Sequence, residues 1–162
     1  MSILVAANFD AAEWQDWWPQ LEAALPDEQL VRAEDVRDPA AVDIALVANP
    51  PAGALQGLPS LRLVQSLWAG VDKLLADASV PAQVPLARMV DPSMNETMAE
   101  TALWAVLALQ RGFFDYAAQQ RTAQWQQHRL ARADDRCVAV LGLGQMGACA
   151  ARALVHLSLI HI

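Results

Sequence analysis

The chain has 162 residues, of which 55% are hydrophobic and 18% charged, so it is long enough and apolar enough to bury a core. Its net charge of −7 argues against a nucleic-acid-binding surface, which needs clustered lysine and arginine. The longest uninterrupted apolar run, residues 102–109, has 8 residues, well short of the ~18 that a membrane-spanning helix needs.

Short apolar runs alternate with helix-like segments along the first 90 residues. Strands are predicted at four places, each followed by a turn or break: Ile3–Ala7, Ile44–Ala48, Leu61–Leu67 and Pro85–Met89. A short helix is predicted at Asp72–Ala76. This alternation is typical of a parallel sheet with helices on both faces. The predicted fold class is therefore α/β, with a flavodoxin-like parallel-sheet domain.

A tryptophan-rich helix is predicted between the first two strands, with Asp10 as its N-cap. Its apolar residues follow the i, i+3, i+4, i+7 spacing of one helix face: Trp14, Trp17, Trp18 and Leu21. Three tryptophans in one stripe suggest either a ligand box or a buried face. The spacing favours core packing.

Two helices are predicted between residues 93 and 127. Ser93 and Glu96 have the spacing of a capping box, in which the serine accepts from the N3 amide and the glutamate reaches back. The first helix is expected to break near Gly112, and the second to run from Phe113 to about Gln127. A domain boundary is predicted near residue 133, after these helices.

The sequence VAVLGLGQMG at residues 138–147 predicts a buried strand, a G-x-G-x-x-G turn and a helix. Gly142 permits the tight turn, Gly144 lets amides approach a pyrophosphate, and Gly147 allows close packing of helix and strand. The alternative interpretation is a structural glycine-rich turn without a ligand. The strand and helix around the motif favour the start of a dinucleotide-binding Rossmann domain.

Only 15 residues follow Gly147, whereas a complete dinucleotide-binding domain needs on the order of 100 more. The acidic residue that would bind the adenosine ribose is expected about 20 positions after the motif, and residues 158–162 contain none. The Rossmann domain, residues 134–162, is therefore predicted to be truncated. Whether residues 158–162 are native sequence stays open.

The turn WAGVD at residues 68–72 follows the third predicted strand. Ligands of open parallel sheets bind outside the carboxyl ends of the strands. Gly70 would let backbone amides face that crevice, where the start of the next helix makes them suited to a carboxylate. A plain strand-to-helix turn, with Asp72 as a helix-start charge, is an equally good interpretation of the spacing.

Three motifs in this order resemble the D-isomer-specific 2-hydroxyacid dehydrogenases: WAGVD at 68–72, NETMAE at 95–100 and VLGLGQMG at 140–147. The tryptophan before AGV is most similar to the glyoxylate/hydroxypyruvate reductase branch of that family. The resemblance extends from residue 3 to about residue 157, and the order and spacing of the motifs are more specific than any one of them.

The resemblance implies sites and partners. The substrate would be a small 2-oxo or 2-hydroxy acid, its carboxylate held by the amides of Ala69, Gly70 and Val71 with Trp68 lining the pocket. The cofactor would be NADP or NAD. Its predicted contacts are Thr97 and the residues of the glycine turn, that is Gly142, Leu143, Gly144, Gln145, Met146 and Gly147. For Thr97 the alternative is that it only occupies the first turn of a capped helix and contacts no cofactor. The 93–127 helices would form a dimer arm on the substrate domain, residues 1–133, and make the full-length enzyme a homodimer.

The same resemblance leaves the chemistry incomplete. Family members use a catalytic arginine, a glutamate and a histidine that follow the first glycine-motif helix, so we assign no catalytic residue here, and no metal ligand. His128, His156 and His161 do not match the family's histidine and are interpreted as surface or partly packed residues. The chain is therefore expected to be the N-terminal fragment of a dehydrogenase and inactive alone. A non-catalytic dimerisation or binding module is the alternative, and a Rossmann protein of another class is disfavoured by the 68–72 turn.

The N-terminus lacks the basic region of a signal peptide. Cys137 and Cys149 fall in the predicted strand and helix of the glycine motif, as small core residues and not as a disulfide framework. Both observations predict a cytoplasmic location.

Overall fold

The computed structural model describes residues 2–157 and divides the chain into two compact units, Met1–Val90 and Asp91–Ile162. Residues 158–162, whose native origin was left open, lie outside the described residues. The same holds for the prediction that His161 is a surface or partly packed residue. The domain boundary near residue 133 stays a prediction.

The first unit is a five-stranded, all-parallel sheet with the strand order β2-β1-β3-β4-β5. This order is that of flavodoxin-like folds, so the predicted fold class is confirmed. Its elements in chain order are β1 (Ser2–Ala7), α1 (Ala11–Ala24), β2 (Leu30–Arg32), β3 (Val42–Ala48), β4 (Leu63–Ser66), α2 (Asp72–Ala76) and β5 (Leu86–Ala87). Strand β2 was not predicted because its three residues are too few to show a periodicity.

Hydrophobic clusters cover both faces of this sheet. Successive side chains of a strand point to opposite faces, and in β1 Leu4 joins one cluster while Val5 joins the other. The larger cluster includes Val47, Val64 and Leu74. The other packs β1 and β3 against Leu21 of α1, with Trp14 and Trp18 at its border. Strands β1 and β3 are buried on both sides, which explains their uninterrupted apolar sequences.

Helix α1 begins as predicted, with Asp10 as its N-cap. The Oδ1 atom of Asp10 accepts hydrogen bonds of 2.8 Å from the amides of Ala12 and Glu13. The Glu13 side chain accepts the Asp10 amide at 2.8 Å and completes a capping box. The helix start is therefore fixed directly after β1.

Two carboxylates fasten loops of the first unit. Asp43, only 6% exposed, accepts hydrogen bonds from Nε and Nη2 of Arg62 at 2.9 and 2.7 Å, which joins β3 to the residue before β4. Asp77 accepts the amides of Ser79 and Gly53 at 2.8 and 3.3 Å. The hydrogen bond from the Ser79 amide, with the weaker one from Gly53, holds the pKa of the Asp77 carboxyl below its ordinary value.

The second unit contains the helices α3 (Pro92–Gln110), α4 (Phe113–Arg121) and α5 (Gln145–Val155), with α3 packed against α5. The prediction of a Ser93–Glu96 capping box was wrong, because α3 begins earlier. Asp91 is the N-cap, and its carboxylate accepts a hydrogen bond from the Ser93 amide at 2.9 Å. Pro92 occupies the first helical position, where a missing N–H costs nothing. Gly112 breaks the helix as predicted, with a left-handed φ of 65°.

Two further predictions for this unit were wrong. Helix α4 ends at Arg121 and not near residue 127. Residues 137–141 form no strand within the described chain, where they have no strand to pair with; Leu141 is 99% exposed and Cys137 is also exposed. An extended segment becomes a buried strand only when neighbouring strands take up its backbone hydrogen bonds.

None of the helices within residues 2–157 has the length and apolarity to cross a bilayer. The expectation drawn from the longest apolar run agrees with this finding.

The Asp43–Arg62 pair leads to a stability prediction. Replacing Arg62 with Met leaves a buried carboxylate without its cationic partner, and we expect the free energy of unfolding to fall by about 1–2 kcal/mol. Urea denaturation measures this difference. Arg37→Met is the matched control, because Arg37 is exposed and forms no ion pair with any described residue. It should change the value by less than about 0.5 kcal/mol; equal losses in both variants would contradict the assignment.

Candidate functional site

The carboxyl ends of the parallel strands form one edge of the sheet in the first unit. The chain runs outward in opposite directions from β1 and β3, so the pair is the point at which the strand order reverses. Such a reversal opens a crevice in which α/β proteins bind ligands. Phe9 follows β1 at this edge, and the turn 68–71 follows β4, the strand next to β3.

The turn after β4 presents unused hydrogen-bond donors. The amides of Ala69, Gly70 and Val71 donate to no acceptor among the described residues. Gly70 is exposed, and no described atom lies within 4 Å of the position that a Cβ would take there. Three consecutive free amides beside open space can bind an anion with several oxygen atoms, such as a carboxylate.

The backbone of Trp68 at the start of this turn is fixed from two sides. The buried hydroxyl of Ser66 accepts the Trp68 amide at 3.1 Å and donates to the Trp68 carbonyl at 2.9 Å. The same carbonyl accepts the amide of Met89 at 3.3 Å, next to β5. The turn therefore leaves the sheet in one defined direction.

The tryptophan stripe of α1 is divided between two environments. Trp14 and Trp18 pack at the border of the core, as predicted, and the guanidinium of Arg32 lies 4.4 and 5.0 Å from their ring centroids. Trp17 instead meets Trp68, with the ring centroids 5.6 Å apart and the planes at 88°. The core interpretation therefore holds for two of the three residues. Trp17 was missed as a neighbour of the site.

Phe9 completes an aromatic cluster at the carboxyl edge. Its ring stacks on Trp17 at 5.7 Å and 16°, and meets Trp68 edge-on at 6.4 Å and 73°. Each such pair contributes about 0.5–1.5 kcal/mol beyond the area it buries. We call Phe9, Trp17 and Trp68 the edge cluster.

The glycine turn lies in the second unit and requires glycine at two positions. Gly142 has a φ of 86°, in the left-handed region that favours glycine. A Cβ at Gly147 would collide with the carbonyl oxygen of Gly142. Helix α5 therefore lies closer to the turn than a side chain at residue 147 would allow. This is the close approach that the motif predicts.

Helix α5 begins directly after the turn, with Gly144 as its N-cap. The amides of Leu143 and Gly144 donate to no described acceptor, and the amides of the first helical turn have no partner inside the helix. These donors and the helix dipole can hold a pyrophosphate. The side chains of Leu141 and Leu143 are 99% and 63% exposed beside it.

The other predicted contacts are less distinctive. Thr97 is exposed in α3, and its hydroxyl donates to the carbonyl of Ser93 at 3.0 Å, a bond within the helix. His128 is partly buried: its Nε2 lies 2.6 Å from Nε2 of Gln119, and its amide donates to the Tyr116 hydroxyl at 3.1 Å. His156 is exposed at the end of α5. Among residues 2–157, no histidine, cysteine, aspartate and glutamate side chains cluster as a metal site would require.

Comparisons with known proteins agree with this geometry, although no family model matches the sequence. The chain is 37% identical over 145 residues to glyoxylate/hydroxypyruvate reductase A of Klebsiella pneumoniae subsp. pneumoniae, covering 86% of this chain and 46% of that protein. A D-isomer specific 2-hydroxyacid dehydrogenase of Xanthobacter autotrophicus Py2, solved with NADPH and MES, has a TM-score of 0.83 and 34% identity, covering 97% of this chain and 52% of that one.

A third relative is the NADPH-dependent glyoxylate/hydroxypyruvate reductase of Sinorhizobium meliloti, solved with NADP and sulfate. It has a TM-score of 0.82 and 29% identity, covering 97% of this chain and 50% of that chain. The present chain thus spans about half the length of the curated relatives and solved structures that it matches.

The contrast between two glycines of the turn can be tested. Gly147→Ala forces its Cβ against the Gly142 carbonyl, and we expect the local stability of α5 to fall by about 1–3 kcal/mol. Gly144→Ser is the matched control, because Gly144 has a φ of −67° and open space around it, and serine is at least as good an N-cap as glycine. We expect a change within about 0.5 kcal/mol there. Hydrogen exchange of the α5 amides reports both values, and similar losses would show that the turn does not require its third glycine.

Proposed function

We propose that this chain, a homologue of the D-isomer-specific 2-hydroxyacid dehydrogenases over about half of their length, supplies two binding sites of such an enzyme. One site would hold the carboxylate of a small 2-oxo acid and the other the pyrophosphate of NADP or NAD. The complete reaction would reduce glyoxylate, hydroxypyruvate or a similar acid by hydride transfer.

The free amides after β4 are the observation that carries the substrate site. A 2-oxo acid brings two carboxylate oxygens and an adjacent carbonyl oxygen, all acceptors. The amides of Ala69, Gly70 and Val71 are donors without other described partners. Hydrogen bonds to a charged group contribute about 1.5–3 kcal/mol each, and several of them in one turn suffice to orient a small acid. Trp68 would line the pocket beside them.

The glycine turn supports the cofactor site. The close approach of Gly147 to the Gly142 carbonyl is typical of this motif and supports the proposal, and the free amides before α5 suit phosphate oxygens. The predicted contacts are Gly142, Leu143, Gly144, Gln145, Met146 and Gly147, with Thr97 as a further one. When bound, the reduced nicotinamide would supply the hydride to the carbonyl carbon of the substrate. Two structural relatives were crystallised with NADPH or NADP, which favours a nicotinamide cofactor here.

The reaction also needs a proton donor for the carbonyl oxygen. The family resemblance assigns this role to a histidine paired with a glutamate, beside an arginine that binds the substrate, and no side chain of this chain matches them. We therefore propose that the chain binds its ligands but does not reduce them by itself.

Partner and location follow from the same proposal. The complete enzyme would be a homodimer of the cytoplasm, where thiols such as those of Cys137 and Cys149 stay reduced. Helices α3 and α4 expose large apolar side chains that suit a subunit interface: Trp104 (61%), Leu109 (71%), Phe113 (58%) and Phe114 (54%). The same exposed residues favour the alternative, a non-catalytic dimerisation module, which would associate with rising concentration and bind no nucleotide.

The substrate site predicts an effect of Gly70→Val. The valine side chain would enter the space in front of the amides, and we expect the affinity for hydroxypyruvate to fall at least tenfold while the fold is kept. NMR titration of the 162-residue chain measures this, because the amide resonances of residues 69–71 should shift in the unsubstituted protein.

Ala82→Val is the control, since it adds similar volume at an exposed loop position of the same unit. It should bind hydroxypyruvate like the unsubstituted chain. The turn is not the substrate site if Gly70→Val binds with unchanged affinity, or if the acid shifts only resonances elsewhere.

The missing acid/base group predicts the activity of the chain. We expect no glyoxylate-dependent oxidation of NADPH or NADH above background by the purified 162-residue protein, followed at 340 nm. Measurable turnover would overturn this part of the proposal, because some residue of the chain would then have to donate the proton.

A further inference from the structure

The edge cluster contains an indole that the proposed carboxylate site does not itself require. Trp17 belongs to α1, far from Trp68 in sequence, yet the two ring centroids are 5.6 Å apart with the planes at 88°. Phe9 contacts both rings, by stacking on Trp17 and by an edge-on approach to Trp68. The Trp68 side chain is thus held by two aromatic neighbours from the region of β1.

These contacts matter because the Trp68 backbone is already fixed. Ser66 and Met89 hold its amide and carbonyl, so only the side-chain torsions of Trp68 remain free to move the indole. Edge-on contacts from Trp17 and Phe9 restrict these torsions. The position of the indole relative to the amides of residues 69–71 therefore depends on α1.

The neighbouring tryptophan of the same helix shows the contrast. Trp18 tilts against Trp14, lies under the guanidinium of Arg32, and donates its indole N–H to Glu22 at 2.8 Å. Its described ring contacts do not include Trp68. Trp17 therefore contacts the Trp68 ring directly, whereas Trp18 is linked to the edge cluster only through Trp14, whose ring meets Phe9 at 5.2 Å.

We propose that Trp17 is a positioning residue for substrate selection: by fixing the Trp68 indole beside the free amides, it restricts the site to 2-oxo acids with a small substituent. This inference rests on the proposed carboxylate site at residues 69–71. A Trp68 indole held in one position excludes a bulky substituent of the substrate, whereas an indole without the Trp17 contact can rotate away and admit it. A hydrophobic pocket of this kind discriminates by roughly 10–200-fold.

The test compares two acids that differ only in the group on their third carbon, hydroxypyruvate and phenylpyruvate. Dissociation constants are measured by NMR titration of the 162-residue chain, from the amide resonances of residues 69–71. We expect Trp17→Leu to lower the ratio of the phenylpyruvate constant to the hydroxypyruvate constant about tenfold. Phe9→Leu, which removes the other neighbour of Trp68, should lower the ratio in the same direction and serves if Trp17→Leu does not fold.

Two control variants separate positioning from general stability. Trp18→Leu removes an indole from the same helix and should leave the ratio within twofold of the unsubstituted chain. Trp17→Phe keeps an aromatic ring against Trp68 and should also preserve the ratio. A fall of the same size in Trp18→Leu would overturn the inference, because the effect would then come from loosening α1 as a whole.

The remaining outcomes distinguish the two proposals. If the unsubstituted chain binds both acids at residues 69–71 but Trp17→Leu and Phe9→Leu leave the ratio unchanged, the role of Trp17 is wrong and the carboxylate site stands. If hydroxypyruvate shifts none of these resonances in the unsubstituted chain, the carboxylate site is wrong and the role of Trp17 falls with it.

Discussion

The parallel pairing of β1 with β3 is the constraint on which the first unit depends. Six residues of β1, from Ser2 to Ala7, pair with β3, and both strands are buried on both faces. Because the chain adds β2 on one side of this pair and β4 on the other, the strand order reverses there and the carboxyl ends of β1 and β3 open a crevice. The turn after β4 and the residue after β1 both reach this edge as a consequence. The proposed substrate site therefore follows from topology before any side chain is considered.

The second unit depends on a different constraint, the space between the glycine turn and its helix. Gly142 needs a left-handed backbone, and Gly147 must have no side chain where α5 passes the Gly142 carbonyl. The turn has this shape although residues 137–141 are not paired as a strand in the described chain. Local backbone conformation and the absence of two side chains thus suffice to build the glycine turn, whereas a buried strand needs neighbours from elsewhere in a sheet.

The predictions from sequence were most accurate for features that depend only on residues close together in the chain. The Asp10 cap, the break at Gly112 and the short helix α2 follow from residues close in sequence, and all three are present. Predictions that depend on competing or distant partners did less well. Ser93 had the spacing of an N-cap, but the helix starts two residues earlier, with Asp91 as the N-cap and Pro92 at the first helical position. The strand at 138–141 had the right composition, but no periodicity can supply the partners that pairing needs.

Trp17 shows why a helix period cannot separate core from site. Successive helical residues are rotated by about 100°, so Trp17 and Trp18 lie at opposite edges of one apolar stripe, with Trp14 and Leu21 between them. Both edges are apolar because both are covered, one by the border of the sheet core and Arg32, the other by Phe9 and Trp68. Hydrophobicity records that a side chain is covered and not what covers it. The missing information was which strand ends lie near one another. Phe9 follows β1 and Trp68 follows β4, and the pairing of both strands with β3 brings these two residues to the same carboxyl edge. Aromatic residues that follow two nearby parallel strands, with a third on the helix after the first strand, are therefore expected to meet at the carboxyl edge of the sheet.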